Sequence, residues 1–417
     1  MELEGLRGLA ALVVFLFHFL VLFYPVMYYG AGVFAPIQHL RFEDNIHGTP
    51  LEGFLSGTFS VAVFFVLSGF VLSVGFFSTK NAEIVKKLAA KRYLRLMLPA
   101  LASVLIALVF ISLNLSSNKE AHEITQSVAL RTVWSPHPGF FEALYEGSIG
   151  VFVHGPVNNY NSVLWTMQYE FSGSFIIFGL ALLFGQSKWR WVVYLAAAIG
   201  FQGSWYLGFI LGMVIADLYV HRLSLMQKIR QPFYMGILAL GICLGAFPTS
   251  SKIGETIYGH VMLPWLSQAQ NQSVYTTLGA VCIVLAALGL VGFKRFLSGR
   301  MMSQLGKYTY SLYLVHQPLI YTVGTGLFML FISRFGYNKS VALAFVLTIP
   351  VVVAATLLFH KYIEQPSMRV AAYSEEVFSG KKELSLKREY KKITRRALAA
   401  IRRRVRPLEN IQDPEVE

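Results

Sequence analysis

The residues best suited to chemistry in this sequence are an arginine and a histidine at the start of an apolar run. Arg7 and His18 are 11 residues apart in MELEGLRGLAALVVFLFHF. On an α-helix this separation is about three turns, with a residual rotation of ~20° and a rise of ~16 Å, so both side chains lie on one stripe. A guanidinium binds phosphate groups, and an imidazole gains and loses protons near neutral pH. The pair therefore predicts an anion site leading to a proton-transfer group.

Three further polar residues lie in apolar segments at a similar depth. They are Ser68 in FFVLSGFVLS, Glu170 in VLWTMQYEFSGSF and His316 in YSLYLVHQPL. At ~1.5 Å per residue, each lies some 10–15 Å from a membrane surface. Ionisable groups at that depth are costly unless they face protein or a water-filled cavity. We therefore expect these side chains and the Arg7–His18 stripe to face one interior, open to the cytoplasm, where a carboxylate and a histidine can perform acid–base chemistry.

A second basic motif, KRYLRLMLPA, precedes another apolar segment. Arg92 and Arg95 are three residues apart and share a helix face. Two guanidinium groups at a membrane surface suit a phosphate ligand. The alternative is a charge signal for membrane orientation, with contacts to lipid headgroups.

The other candidates also have structural alternatives. His18 and His316 could each form only a hydrogen bond between helices, and Glu170 could be the partner of an arginine or tryptophan. Ser68-Gly69 is also typical of a close helix contact. Glu364 and Asp217, near the inner surface, could simply pair with basic residues. The histidines of the predicted outer loops have no metal-site spacing, so we predict no metal; they are His39, His47, His122, His137 and His154.

The elements that position these residues are predicted to be membrane-spanning helices. The 417 residues are 55% hydrophobic and only 14% charged, and apolar runs of roughly 20 residues span a bilayer. We predict an all-α polytopic membrane protein with ten spans: 9–29, 58–77, 96–114, 163–184, 191–203, 204–220, 233–247, 274–292, 308–331 and 340–363. The fifth and sixth are separated only by Gln202-Gly203-Ser204, which suits a tight hairpin or a broken helix pair.

The distribution of charge predicts the orientation. With ten spans and the N-terminus inside, all but six of the 36 Lys and Arg residues lie on cytoplasmic segments. Both termini are therefore predicted to be cytoplasmic. Residues 1–365 are expected to form the transmembrane domain, and residues 366–417 a basic tail that includes KKELSLKREYKKITRRALAAIRRRVRP. Anionic lipid would attract this tail, so the net charge of +14 does not indicate nucleic-acid binding.

The motifs together resemble the acyltransferase-3 family of integral membrane acyltransferases. The resemblance lies in LEGLRGLAALVVFLFHF, FFVLSGFVLS, KRYLRLMLPA, LWTMQYEF, YSLYLVHQPL and HKYIEQP, in that order, from residue 3 to residue 366. It implies a ten-helix domain that takes an acyl group, by default acetyl, from cytoplasmic acyl-CoA. The acceptor would be a hydroxyl of a glycan or lipid-linked sugar. The chain resembles the branch without a fused hydrolase-like domain, located in the cell membrane.

The resemblance also implies roles for individual residues. His18 matches the essential histidine and acts as general base or, alternatively, forms an acyl-histidine, with Glu170 orienting or polarising the reacting groups. The acyl-CoA site is assigned to Arg7, Arg92, Arg95 and Ser68, and the acceptor site to Trp165 and His316. Acyl-CoA is a co-substrate, and no bound cofactor is expected. The stretch MQY at 167–169 departs from the family pattern, where more apolar residues are expected.

Two other functions are compatible with the same residues. Midplane histidine and glutamate also serve proton-coupled transporters or flippases of polar lipids and sugars. Such proteins do not require an Arg-x-x-Arg pair joined to a polar stripe open to the cytoplasm. A non-catalytic sensor would bind acyl-CoA without turnover.

Overall fold

The computed structural model describes residues 2–32, 34–131, 133–134, 139–156, 160–248 and 253–378. Ten principal helices account for most of these residues: α1 (Glu2–Phe23), α2 (Gly57–Thr79), α3 (Ala82–Ser112), α4 (Trp165–Phe184), α5 (Arg190–Gly200), α6 (Tyr206–Lys228), α7 (Gln231–Gly245), α8 (Gln268–Gly289), α9 (Arg300–Leu319) and α10 (Tyr337–Phe359). The sequence KKELSLKREYKKITRRALAAIRRRVRP of the predicted basic tail lies outside the described residues.

Two of these helices are extended through π-helical turns. The turn Ile320–Gly324 joins α9 to the helix Thr325–Phe335, and the turn His360–Glu364 joins α10 to the helix Gln365–Phe378. Short helical segments fill the connections: Val26–Tyr29, Glu43–Ile46, Pro50–Phe54, Asn118–Thr125, Val128–Arg131, Phe140–Tyr145, Glu146–Gly150, Val151–Val153, Ser162–Leu164, Ile253–Glu255, Ile257–Val261 and Val291–Leu297.

The helices confirm the prediction of a polytopic all-α membrane protein. Among the described residues, eight helical stretches are long and apolar enough to cross a membrane, and α5 and α7 are shorter apolar helices. Each predicted span coincides with one of the ten. Two of the boundary differences are polar extensions at helix starts: α3 begins at Ala82 rather than at residue 96, and α9 at Arg300 rather than at 308. Hydropathy detects the part of a helix that crosses lipid and not its polar ends.

Helices α1 and α9 pack closely through glycine residues. A Cβ atom on Gly8 would lie 2.5 Å from the Gly306 nitrogen, and one on Gly306 would lie 2.2 Å from the Glu4 carbonyl oxygen. Small residues allow helix backbones in membranes to approach this closely. The contact holds the Arg7 end of α1 beside the first turns of α9.

A similar contact joins α2 to α6. A Cβ atom on Gly69 would lie 2.0 Å from the Phe209 carbonyl oxygen, and one on Gly212 would lie 2.0 Å from that of Val66. The packing alternative proposed for Ser68-Gly69 is therefore correct for Gly69. Ser68 projects from another face of α2 and lines a cavity.

Asp217 on α6 holds the short helix α5. Its carboxylate lies 2.7 Å from Arg190 Nε and 2.7 Å from His221 Nδ1, and it accepts a hydrogen bond of 3.1 Å from the Tyr194 hydroxyl. Because a buried carboxylate is costly without its partners, this set of contacts fixes how α5 lies against α6. This agrees with the structural alternative for Asp217. Cys243 and Cys282 are free thiols.

Candidate functional site

A cavity of about 640 Å³ lies between α1, α2, α3, α4, α9 and the extension of α10. Its walls include five of the residues selected from the sequence, Arg7, Ser68, Arg92, Arg95 and Glu170. Four sequence-distant motifs therefore meet in one space. The predicted common interior for these five side chains is present in the structure.

Glu170 on α4 is held by two neighbouring helices. Arg92 Nη2 on α3 lies 2.5 Å from Glu170 Oε2 and also donates to the Glu170 carbonyl oxygen at 3.2 Å. The Ser68 hydroxyl on α2 donates to Glu170 Oε1 at 2.8 Å. Both charged side chains are nearly buried, at 12% and 14% exposure. The alternative of an arginine partner for Glu170 is thus what the structure contains.

This ion pair separates the two arginines of the Arg-x-x-Arg motif. The charge of Arg92 is balanced by Glu170, whereas Arg95 is exposed and forms no ion pair with a carboxylate in the described part of the chain. The sequence predicts equivalent guanidinium groups because both lie on one helix face. Their environments differ because only Arg92 is directed at α4.

Four cavity-lining cations have no carboxylate in ion-pair contact among the described residues: Arg7, Arg95, Lys307 and Arg369. Glu4 and Glu364 also line the cavity, so cations outnumber carboxylates by five to three. The cavity therefore favours an anionic ligand. Sequence analysis did not select Lys307 and Arg369, because it counted them only as charges that fix the orientation of the helices.

A second polar cluster lines the α10 side of the cavity. His360 Nδ1 lies 2.9 Å from Glu364 Oε2, which also accepts a hydrogen bond of 2.5 Å from the Ser311 hydroxyl. His360 is buried with its ring edge-on to Tyr308, the two centroids 4.8 Å apart. Sequence analysis missed His360, although the spacing of histidine and glutamate in HKYIE was an available signal. Glu364 pairs with this histidine and a serine rather than with a basic loop.

His18 and His316 form a pair beyond the closed end of the cavity. His316 Nε2 lies 3.1 Å from His18 Nδ1, and the ring centroids are 5.0 Å apart. Neither histidine lines the cavity. The hydrogen bond between helices, proposed as an alternative for both residues, is present.

Aromatic side chains separate the cavity from this pair. Tyr313 and Phe64 line the cavity with their ring centroids 6.1 Å apart, and the Tyr313 ring lies 6.0 Å from that of His316. The Tyr313 hydroxyl donates to the Val163 carbonyl oxygen at 2.8 Å and lies 2.9 Å from Thr166 Oγ1. The expectation of one open passage from the arginines to His18 is therefore not met. The Tyr313 ring, held by its hydroxyl, contacts both the cavity and His316.

Trp165 lies behind the cavity wall. Its ring packs against Trp205, Tyr169 and Phe65, with centroid distances of 5.7, 5.8 and 6.4 Å. Only Phe65 of this cluster lines the cavity. The predicted acceptor residues Trp165 and His316 are thus both outside it. Among the described residues, no group of three or more His, Cys, Asp or Glu side chains is placed to hold a metal ion.

Comparisons with known proteins give the chemical class. The profile of the acyltransferase-3 family, described as an acyltransferase domain, matches residues 2–360. The O-acetyltransferase PaAT-1 of Phomopsis amygdali is 24% identical over 89% of this chain and 84% of its own length. Acyltransferase clz18 of Cochliobolus lunatus is 22% identical over 87% of this chain and 93% of its own.

A third relative, acyltransferase R4 of a Phoma species, is 24% identical over 88% of this chain and 93% of its own length. No solved structure matches the chain.

Proposed function

The chain belongs to the acyltransferase-3 family and is a multi-pass membrane acyltransferase, and we propose that it transfers an acetyl group from acetyl-CoA to an acceptor hydroxyl. The observation that carries this proposal is the cavity with four cations lacking carboxylate partners among the described residues. CoA carries several phosphate charges. Forked guanidinium groups bind phosphate in bidentate geometry, and ammonium groups bind it as point charges.

The proposed donor site contains one arginine that is paired with a carboxylate, Arg92, and four cations without such a partner among the described residues. Arg95, Lys307 and Arg369 are exposed where the cavity opens, whereas Arg7 is half-buried. We assign the CoA phosphates to these four residues. Glu170 positions Arg92 and Ser68, because both groups bind its oxygens.

His18 is the proposed general base. Its Nε2 takes the proton of the acceptor hydroxyl as that oxygen attacks the thioester carbonyl carbon. The carbon–sulfur bond then breaks, the ester forms, and the CoA thiolate takes the proton from His18. The thioester reaches His18 only when the Tyr313 ring moves aside, so the proposal includes an opening at Tyr313.

The acceptor is proposed to be a glycan or lipid-linked sugar that enters from the side opposite the cavity mouth. The protein itself is proposed to lie in the cell membrane. Mass spectrometry of surface glycans and lipids, from cells with and without the protein, tests this assignment. Acetyl groups that depend on the protein and lie on a sugar hydroxyl support it. If the protein-dependent acetyl groups are found only on another class of molecule, the sugar acceptor is rejected, and the proposal of acyl transfer still holds.

The central experiment uses purified protein, radiolabelled acetyl-CoA and a membrane extract of the source organism. Wild-type protein is expected to move label to a hydroxyl acceptor, and His18→Ala to lose this transfer while retaining CoA binding. His260→Ala is the matched control, because His260 is exposed and distant from the cavity lining. Full transfer by folded His18→Ala protein would reject the base and the acyl-histidine alternative together.

The same preparation discriminates the transport alternative. The family assignment favours acyl transfer, and transfer of label that depends on acetyl-CoA supports it further. Substrate flux across vesicles without any dependence on CoA would instead support a transporter.

A further inference from the structure

The hydrogen bonds of the half-buried His18 and the buried His316 define which ring nitrogens carry protons. His18 Nδ1 lies 2.9 Å from the Val14 carbonyl oxygen, and His316 Nδ1 lies 2.9 Å from the Leu312 carbonyl oxygen. A carbonyl oxygen only accepts hydrogen bonds, so Nδ1 is the protonated nitrogen of each neutral ring. Nε2 of each ring is consequently a bare acceptor.

The contact between the two rings follows from this assignment. His316 Nε2 and His18 Nδ1 are 3.1 Å apart, so His18 Nδ1–H is the donor and His316 Nε2 the acceptor. The same N–H is shared with the Val14 carbonyl oxygen. Two acceptors on one nitrogen fix both the tautomer and the ring orientation of His18, and leave its Nε2 free to take a proton.

We infer that His316 is a positioning residue, which acts with the Val14 carbonyl oxygen to hold the His18 ring with a bare Nε2 and shares the charge when His18 is protonated. This inference rests on the proposed function, in which His18 is the base. It replaces the predicted role of His316 in acceptor binding, since His316 is only 1% exposed and does not line the cavity.

His18 becomes positively charged when it takes the proton, and the His316 imidazole can stabilise that charge. A cation in the membrane interior is costly. No carboxylate in the described part of the chain bonds to either ring. The His18–His316 hydrogen bond becomes charge-assisted and about twice as strong when His18 takes a proton. A proton passed to His316 stops there, because His316 Nδ1–H already faces the Leu312 carbonyl oxygen.

Two substitutions separate this role from packing. In His316→Gln the amide oxygen can replace Nε2 as acceptor, whereas His316→Met fills similar volume with no comparable acceptor. With radiolabelled acetyl-CoA and the membrane extract, we expect His316→Met to lower kcat about 10- to 100-fold and His316→Gln about threefold or less. KM for acetyl-CoA should stay unchanged in both. Equal loss in the two variants, or a change confined to KM, would overturn the inference.

Nitrogen NMR of histidine-labelled protein provides a readout that does not require turnover. The wild-type protein should show His18 protonated at Nδ1 and bare at Nε2. His316→Met should keep this tautomer, which the Val14 carbonyl oxygen still holds, but its Nδ1–H signal should shift because one of its two acceptors is lost. A His18 ring protonated at Nε2 in the neutral wild-type protein would contradict the assignment. Retained transfer by His18→Ala would reject the proposed base instead, so the two failures are distinguishable.

Discussion

At the scale of single residues, the main finding is that Glu170 has its oxygens occupied by Arg92 and Ser68. A buried ion pair gives little net stability, but removing one partner leaves an uncompensated charge. Loss of Glu170 should therefore lower the stability of the protein, independently of any effect on turnover.

We predict that Glu170→Ala destabilises the protein by about 3–5 kcal/mol, because Arg92 is left buried without its carboxylate. Glu170→Gln should cost less, since its amide oxygen still accepts from Ser68 and Arg92. Thermal unfolding in detergent measures both. The matched control is Glu375→Ala, which removes the more exposed pair with Lys91, 3.3 Å apart, and should cost about 1 kcal/mol or less. Equal effects at the two glutamates would contradict the buried pair.

We predict that the cavity cations without carboxylate partners among the described residues set the KM for acetyl-CoA. Arg95→Met, Lys307→Met and Arg369→Met should each raise KM for acetyl-CoA about tenfold, equivalent to ~1.4 kcal/mol, and leave kcat nearly unchanged. Lys188→Met is the control, because Lys188 is exposed and does not line the cavity. The measurement is steady-state kinetics at low salt. A lowered kcat with unchanged KM would place these charges outside the donor site.

At the scale of elements, the Phe64 and Tyr313 rings pack between α2 and α9, and Tyr313 also contacts His316. Tyr313→Ala removes the ring that separates the cavity from His316 and should let water reach the thioester together with the base. We expect acetyl-CoA hydrolysis without acceptor to rise about tenfold relative to transfer, a barrier change of ~1.4 kcal/mol. Free CoA release and ester formation measure the two reactions. An unchanged ratio would show that the ring is not the barrier.

The glycine contact between α1 and α9 predicts a packing defect. Gly8→Ala introduces a Cβ atom 2.5 Å from the Gly306 nitrogen and should destabilise the fold by about 1–3 kcal/mol. Gly326→Ala is the control, because no atom other than those of its chain neighbours and its own helix backbone lies within 4 Å of its Cβ position among the described residues. It should stabilise its helix by about 0.5–1 kcal/mol. Circular dichroism during heating measures both. A harmless Gly8→Ala would contradict the close approach.

Hydropathy and charge predicted the ten helices. Polar residues at one depth predicted Ser68 and Glu170 as members of the cavity, and the basic motifs predicted Arg7, Arg92 and Arg95. The difference between Arg92 and Arg95 was not predictable, because it depends on which side chain is directed at another helix. His360 faces the cavity from a π-helical turn, and no periodicity of the sequence marks that turn. The closure by Tyr313 depends on hydrogen bonds to residues some 150 positions away, which pattern analysis cannot detect.

At the scale of the whole molecule, the cavity is lined by residues from both ends of the described part of the chain. Its described lining residues lie between Glu4 and Ala372. Removal of residues 379–417 should therefore change kcat and KM for acetyl-CoA by less than about twofold, which is within ~0.4 kcal/mol. Binding to vesicles with anionic lipid should weaken, as the basic sequence predicts. Loss of transfer in a folded truncated protein would give these residues a direct part in the reaction.

The ring that closes the cavity also has an electrical consequence. If water and counter-ions fill the pocket, they carry the potential of one compartment as far as Tyr313, and the membrane voltage then falls over the thinner layer beyond it. A full crossing by one elementary charge involves ~2.3 kcal/mol per 100 mV, and a proton that reaches His18 through that layer experiences part of this work. Turnover in energised vesicles would then vary with the membrane voltage.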